Sequence, residues 1–295
     1  MLTRMAVALS FLAAMPAFAT VGEQHRLANQ PSGVIRDAEH RSDLRITIWY
    51  PAKAGAPERS INIPPHQPLF LVGKVAPDAP FADDARHPVV LVSHGFGGSA
   101  RMMGWFGIAL AEKGYVVIAV DHPGNNGVDE PSAAGSVLWW NRADDLKVAL
   151  AAVLADPQLA AHVDPARVGV AGFSIGGMTA LIAGGARTDP ARMVRFCRNH
   201  PEDGTCKPQL EFALSNEDAI ATLESPALAT ERARAGAGGA ASDARKPSSP
   251  PGTGSHHGRG GRCDSASGNP CARCQIADPK REGDDPSRCH PLQLP

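Results

Sequence analysis

Three short, nearly continuous apolar runs punctuate the middle of the chain: Pro88 to Ser93, Tyr115 to Val120 and Val168 to Ala171. Runs of this length without polar alternation predict strands buried on both faces, as in a parallel sheet. Between them lie segments of helical spacing. Arg101 to Lys113 ends before Gly114, and Trp139 to Leu154 is closed by Asp156–Pro157. A small-residue, helix-compatible segment follows Gly176. Strand and helix in alternation predict the α/β class: a doubly wound, mostly parallel sheet with helices on both faces. Earlier in the chain, Leu44 to Tyr50 alternates β-branched and aromatic residues and stops at Pro51, which predicts an edge or early strand. The stretch 52–87 carries Pro at 57, 64, 65, 68, 77 and 80, a spacing that forbids a regular helix and predicts an irregular surface excursion.

In such a sheet the chemistry lies beyond the carboxyl ends of the strands. Three turns fall there: His94 to Ser99, Asp121 to Asn126 and Gly172 to Gly176. They are expected to converge in space. The last reads Gly172–Phe173–Ser174–Ile175–Gly176 between an apolar run and a helix, the context a nucleophile elbow requires. Gly172 and Gly176 let the backbone crowd around Ser174, the candidate catalytic nucleophile; the alternative is a serine that merely caps a helix. An oxyanion formed on attack needs backbone N–H groups aimed at it. Ile175, next after the nucleophile, is one candidate donor. Phe96 is the other, in a turn where Gly95, Gly97 and Gly98 free the backbone to point inward.

A serine hydroxyl needs a base, usually a histidine held by a carboxylate. His94 is expected to orient its turn through side-chain hydrogen bonds rather than to act as that base. His122 reads as a rim residue at a strand end. Asp121 and Asp129 read equally as carboxylate partners or loop caps. After Ser174 the histidines are 200, 256, 257 and 290, and none follows a strand. The triad Asp and His are therefore unassigned.

With 295 residues and 43 % hydrophobic content, the chain can build one large domain. A net charge of −1 argues against a nucleic-acid partner, and no run is long enough for an integral membrane span in the mature chain. The first residues read as an export signal: one Arg in Met1 to Met5, an apolar stretch Ala6 to Met15, and Ala17–Phe18–Ala19 as a cleavage pattern leaving Thr20 first. The alternative is a retained N-terminal helix. Export implies a secreted or periplasmic protein in which disulfides persist. The six cysteines are 197, 206, 263, 271, 274 and 289; Cys197 and Cys206 are close enough to staple one loop, but spacing does not assign pairs.

Residues 190–232 read as a polar helical insertion. Phe196, Leu210, Phe212 and Leu214 either line a lid over Ser174 or decorate the surface. The composition then changes. Residues 236–295 hold ten Gly and eight Pro, with only Ile276, Leu292 and Leu294 among the large apolar types. Such a tail is expected to be disordered. No strand pattern follows the nucleophile helix, so the sheet is expected to lack its final strands, or the reading frame to change near 236. Cys271 and Cys274, with Cys263, Cys289, His256, His257 and His290 around them, lack a regular second ligand pair and read as incidental rather than as a zinc site. The expected division is 1–19 signal, 20–235 catalytic domain and 236–295 tail.

The nucleophile elbow, the turn His94 to Ser99 (HGFGGS) and Gly114 to Gly124 (GYVVIAVDHPG) resemble the α/β-hydrolase superfamily. The nearer resemblance is to exported dienelactone-hydrolase-like proteins, themselves similar to platelet-activating-factor acetylhydrolases. Ile46 to Pro51 and Arg142–Asp145 in the Trp139 helix also match, so the resemblance spans roughly residues 22–232. It implies hydrolysis of a small-molecule ester or lipid-like substrate through an acyl-enzyme, without metal or organic cofactor. Ser174 then resembles the nucleophile, with Phe96 and Ile175 the oxyanion donors. Family members also carry a later strand ending in the triad Asp and a loop bearing the triad His. Neither is visible here, which keeps an inert, binding-only scaffold in play beside the esterase and the lipase or polyester-hydrolase readings.

Overall fold

The computed structural model describes residues 20–203, 206 and 216–237. In chain order, β1 (Val21–Asn29), α1 (Gly33–Arg36) and β2 (Asp43–Pro51) lead into a ribbon of β3 (Arg59–Ile63) and β4 (Phe70–Pro77). Then come β5 (His87–Ser93), α2 (Gly104–Ala111), β6 (Val116–Asp121), α3 (Ala133–Val137), α4 (Asn141–Ala155), α5 (Pro157–Ala160) and β7 (Val163–Gly172). The described helices end with α6 (Ile175–Ala183), α7 (Pro190–Asn199), α8 (Asn216–Glu224) and α9 (Ala229–Ala237). The sheet order is β3-β4-β1-β2-β6-β5-β7. Strands β6, β5 and β7 are mutually parallel. β2 and β3 run against their neighbours, while β1 and β4 share the direction of the parallel set. This mostly parallel, mixed sheet with flanking helices is the α/β-hydrolase type of fold.

Period-two alternation divides the core. Val116, Ile118 and Val120 of β6 pack with Leu44, Ile46, Ile48 and Tyr50 of β2 against Leu146, Ala149 and Val153 of α4. The intervening Val117 and Ala119 face Trp49, Met103, Ile108 and Ala111 on the other side. A wholly buried Val, Leu or Ile side chain stabilises by roughly 1.5–3 kcal/mol, so β6, buried throughout Val116 to Val120, anchors the sheet. α2 approaches so closely that a Cβ on Gly107 would lie 2.2 Å from the Trp49 ring.

Two regions differ from the pattern-based expectation. The stretch 52–87 contains β3 and β4 rather than an irregular excursion. Its prolines exclude a helix but sit largely outside the ladder, Pro64, Pro65 and Pro68 between the strands and Pro77 at the end of β4. That ribbon and β1 also place β2, an early strand in chain order, in the middle of the sheet rather than at its edge. β1 itself has alternating, mostly polar composition and gives little apolar signal.

α7 to α9 form the expected helical segment, and much of it is docked. Val194, Leu223 and Leu228 share a cluster with Val137, Leu138, Trp140 and Ile182. Trp140 Nε1 donates to Glu231 O (2.8 Å) and Asn141 Nδ2 to Glu231 Oε2 (2.8 Å). Cys197 and Cys206 form a disulfide. Leu210, Phe212 and Leu214, the signal segment 1–19 and the tail beyond Ala237, with its cysteines, its histidines and the expected change of frame, lie outside the described residues. Among the described residues no strand pairs with the outer edge of β7, and no helix is long and apolar enough to cross a membrane.

Candidate active site

The parallel register sets Ser93, the last residue of β5, beside Gly172, the last of β7. The two chains leave the sheet together, and Phe173 N donates to Ser93 O (3.1 Å). Ser174 follows at φ 53° and ψ −122°, one of three non-glycine residues with positive φ among those described. A strained backbone of this kind costs about 1–3 kcal/mol and persists only where its surroundings enforce it. Here close packing enforces it: a Cβ on Gly176 would lie 2.1 Å from Ser93 O, and one on Gly172 2.1 Å from Gly176 O. Ser174 is exposed. It stands as N-cap of α6 but makes no side-chain cap hydrogen bond, contrary to the helix-capping alternative.

The glycine-rich turn lies against this serine. A Cβ on Gly95 would meet Phe173 Cδ1 at 3.2 Å and Ser174 Cβ at 3.5 Å. Gly98 N closes the turn on Gly95 O (3.2 Å), with Gly97 at φ 61°, and half-buried Phe96 lies between them. At the start of α6, Gly176 N and Gly177 N are taken by the carbonyls of Phe173 (2.8 Å) and Ser174 (2.8 Å). The Ile175 N–H, first in the helix, has no helical acceptor. The 121–126 turn joins in as expected: Asn125 Oδ1 accepts from Gly97 N (3.2 Å), and Gly127 N donates to Gly98 O (2.7 Å).

Behind the turn lies a sealed polar cluster. His94 is buried; its Nε2 accepts the His122 backbone N–H (3.3 Å), which places the ring proton on Nδ1, donated to Gly95 O (2.6 Å). Burial, with Arg142 and His122 nearby, holds its pKa well below the usual histidine value. His94 therefore orients the turn as a neutral ring. His122, anticipated as a rim residue, is 0 % exposed. It sits in a Ser–His–Asp chain, with Nε2 to Ser93 Oγ at 2.9 Å and Nδ1 to Asp145 Oδ2 at 2.7 Å. Burial pushes its pKa down to about 3. Neutral His122 thus donates from Nδ1 to Asp145 and accepts from the Ser93 hydroxyl.

Asp145 also receives a bidentate Arg36 (2.6 and 2.9 Å) and Gln30 Nε2 (2.7 Å). Burial alone would raise its pKa, but the Arg36 charge and the hydrogen bonds hold it far below the usual carboxylate value. Arg142 donates to Ser93 Oγ (3.3 Å), to Asn125 Oδ1 (3.1 Å) and to His94 O. Burial lowers its pKa to about 9, which leaves it protonated at neutral pH. Arg36 and Arg142 against Asp145 leave this cluster with one net positive charge beneath the glycine turn.

The carboxylate candidates are engaged elsewhere. Asp121 accepts Ala100 N (2.7 Å) and, with Asp129, pairs with Arg45; burial raises the Asp121 pKa. Both hold the loops that follow the strands. His200 lies 3.6 Å from Glu202 and packs on Phe196. Among the described residues no side chain hydrogen-bonds to Ser174.

A family model described as PET hydrolase-like matches residues 78–229, just over half of the chain. The chain belongs to the PET hydrolase-like family. Among solved structures, a ferulic acid esterase from Streptomyces cinnamoneus is 25 % identical, with a TM-score of 0.45, over 58 % of this chain and 56 % of that one. The chain thus spans little more than half the length of that enzyme. The esterase Est22 is 16 % identical, with a TM-score of 0.35, over 61 % of this chain and 41 % of that one. No curated protein matches the chain significantly.

In this PET hydrolase-like chain the matched segment contains Ser174, the glycine turn and, of the sealed cluster, Ser93, His94, His122, Arg142 and Asp145, but not Gln30 or Arg36. A cavity of about 1010 Å³ also opens beside the turn but does not include Ser174 in its walls. Gln30 and Arg36 escaped the sequence reading. They come from the segment between β1 and β2, which carries no local motif, and they reach Asp145 from 115 and 109 residues away.

Proposed function

We propose that the chain is a serine hydrolase that cleaves carboxylic esters through an acyl-enzyme on Ser174. The observation that carries this reading is an exposed serine, held at positive φ between a buried strand and a helix, with a glycine-rich turn against it. Ser174 Oγ attacks the ester carbonyl and forms a bond to its carbon. The negative charge on the carbonyl oxygen is received by the N–H groups of Phe96 and Ile175. The alcohol oxygen leaves the carbonyl carbon carrying the proton given up by the Ser174 hydroxyl; water then bonds to the acyl carbon, the bond to Ser174 Oγ breaks, one water proton returns to Oγ and the acid is released. Two supports stand beneath this site: the Asn125 amide oxygen on Gly97 N, and the Arg142 guanidinium on His94 O. Preorganised donors of this type are worth about 2.7–4 kcal/mol each in the transition state.

Among the described residues no histidine hydrogen-bonds to Ser174 to take its proton; His256, His257 and His290 lie outside the described residues. The apolar surface beside the nucleophile favours a second reading within the same chemistry. Phe173 is 64 % exposed next to Ser174, with Leu181 and Met178 also exposed on α6. Such a surface suits an extended apolar ester, a lipid or a polyester, and the family to which the chain belongs agrees. The Cys197–Cys206 disulfide suits a secreted or periplasmic location.

Hydrolysis of p-nitrophenyl acetate and p-nitrophenyl octanoate by the full chain and by Ser174→Ala tests the reading. Turnover that disappears in the variant is expected. Turnover that survives it would move the chemistry elsewhere. No turnover by either protein would leave the inert scaffold.

A further inference from the structure

A cavity among the described residues opens away from Ser174. The 1010 Å³ cavity lies at the same end of the sheet but is walled by the end of β1, the start of β2, the β3–β4 turn and the loops after β5 and β6. β6 and β5 separate β2 from β7 in the sheet order, so at ~4.8 Å per strand its β2 wall stands roughly 14 Å from the strand that carries Ser174. Its volume is that of a small-molecule site. Leu27 (68 %), Met102 (49 %) and Val128 (62 %) are exposed on its walls, apolar surface that a ligand would cover.

The charges around it are unequal. Arg26 is paired with Asp156 (2.8 Å), and Arg45 is neutralised by Asp121 and Asp129. Arg101 differs. Its Nε donates to the Asn62 carbonyl (2.9 Å), which fixes the side chain, and no carboxylate lies within ion-pair distance of it among the described residues. A guanidinium held by one edge, with its two terminal nitrogens unmatched by an acid, suits a carboxylate. Apolar walls with one unneutralised cation call for an amphipathic monoanion.

We propose that this cavity is a second binding site, separate from Ser174, that takes an apolar carboxylate with its acid group on Arg101 and its hydrocarbon body along Leu27, Met102 and Val128. The site also touches the turn beside the nucleophile. Ser99 and Gly127 line it, Gly127 N holds Gly98 O, and Ala100 N is held by Asp121 of the same wall. The proposal does not depend on whether Ser174 is reactive.

Isothermal titration calorimetry of the full chain with octanoate, 1-octanol and acetate tests it, with Ser174→Ala, Arg101→Gln and Met102→Trp titrated in parallel. Circular dichroism melts check that each variant is folded. Octanoate is expected to bind with one-to-one stoichiometry to the parent chain and equally to Ser174→Ala, with 1-octanol and acetate each weaker by about tenfold or more. Arg101→Gln should weaken octanoate by a similar factor. Met102→Trp, at an exposed wall position, should reduce binding by filling the space. Any of three results overturns the proposal: no octanoate binding at millimolar concentration, loss of binding in Ser174→Ala, or equal affinity for octanoate and 1-octanol.

Discussion

Two serines in this molecule, one ending a parallel strand and one just beyond the end of its neighbour, have opposite surroundings. Ser174 is exposed and strained at the start of a helix, and among the described residues it has no histidine. Ser93, at the end of the adjacent strand, has a histidine at 2.9 Å and an aspartate behind it at 2.7 Å, yet all three side chains are fully buried. The atom order of a catalytic relay is therefore not evidence of catalysis. Burial drives His122 down to about 3, which makes its ring a poor proton acceptor, and being fully buried it offers a substrate no path to it. The sealed relay acts as a support. It locks the ends of β5 and β6 and carries Arg142, which grips the glycine turn from below. Access is what separates the two serines: Ser174 is open to a substrate, and Ser93 is sealed from one.

The contrast can be broken in several ways. The largest effect belongs to Ser174→Ala, which should reduce ester turnover to the uncatalysed background, whereas Ser93→Ala should retain measurable turnover. Equal losses in the two variants, with both proteins folded, would erase the distinction. Next comes Asp145→Ala, which leaves Arg36 and Arg142 as buried, uncompensated cations. It should lower the unfolding free energy by about 3–5 kcal/mol in a urea titration. A loss below about 1 kcal/mol would mean that the cluster does not hold this end of the sheet together.

The pH dependence comes third. The folded pKa of His122 lies below its unfolded value of 6.5, so as pH falls the unfolded chain takes up the proton first. His94 shifts the same way. The stabilising contribution of His122 is whole above pH 6.5 and is lost towards pH 3, on the order of 1.4 kcal/mol per pH unit, and that of His94 is lost in the same direction as pH falls. Urea midpoints measured from pH 7.5 to 5 should hold down to about pH 6.5 and fall below it, and His122→Asn should flatten that fall. A flat parent profile would contradict sealed, neutral rings. The smallest effect is expected far from both serines. Arg198 and Glu224 form an exposed pair at 2.7 Å, and Arg198→Ala should change stability by less than about 1 kcal/mol.

Much of this arrangement is legible in the residues. Continuous apolar runs mark β5, β6 and the end of β7, because a strand covered on both faces tolerates few polar side chains. The G-x-S-x-G turn marks Ser174, because the steric demand for glycine on either side leaves a sequence trace. His94 as a turn-orienting residue is similarly legible. The far half of the sheet is not: β1 is largely polar, and the prolines around β3 and β4 look like breakers until the ladder is seen to run between them. His122 misleads for a different reason. A histidine after a strand end looks like a rim group, and only the return of α4 with Asp145 and Arg142, together with Arg36 from near the N-terminus, encloses it. Pairings more than one hundred residues apart leave no local pattern.

The most direct measurement of the contrast is the position of a phosphonate adduct. The native protein is treated with a fluorophosphonate and digested with trypsin, and the modified serine is located by mass spectrometry. Ser93 and Ser174 fall in separate peptides, residues 87–101 and 168–187. The account predicts an adduct on Ser174 and none on Ser93. An adduct on Ser93, or a native protein that leaves Ser174 unmodified, would contradict it.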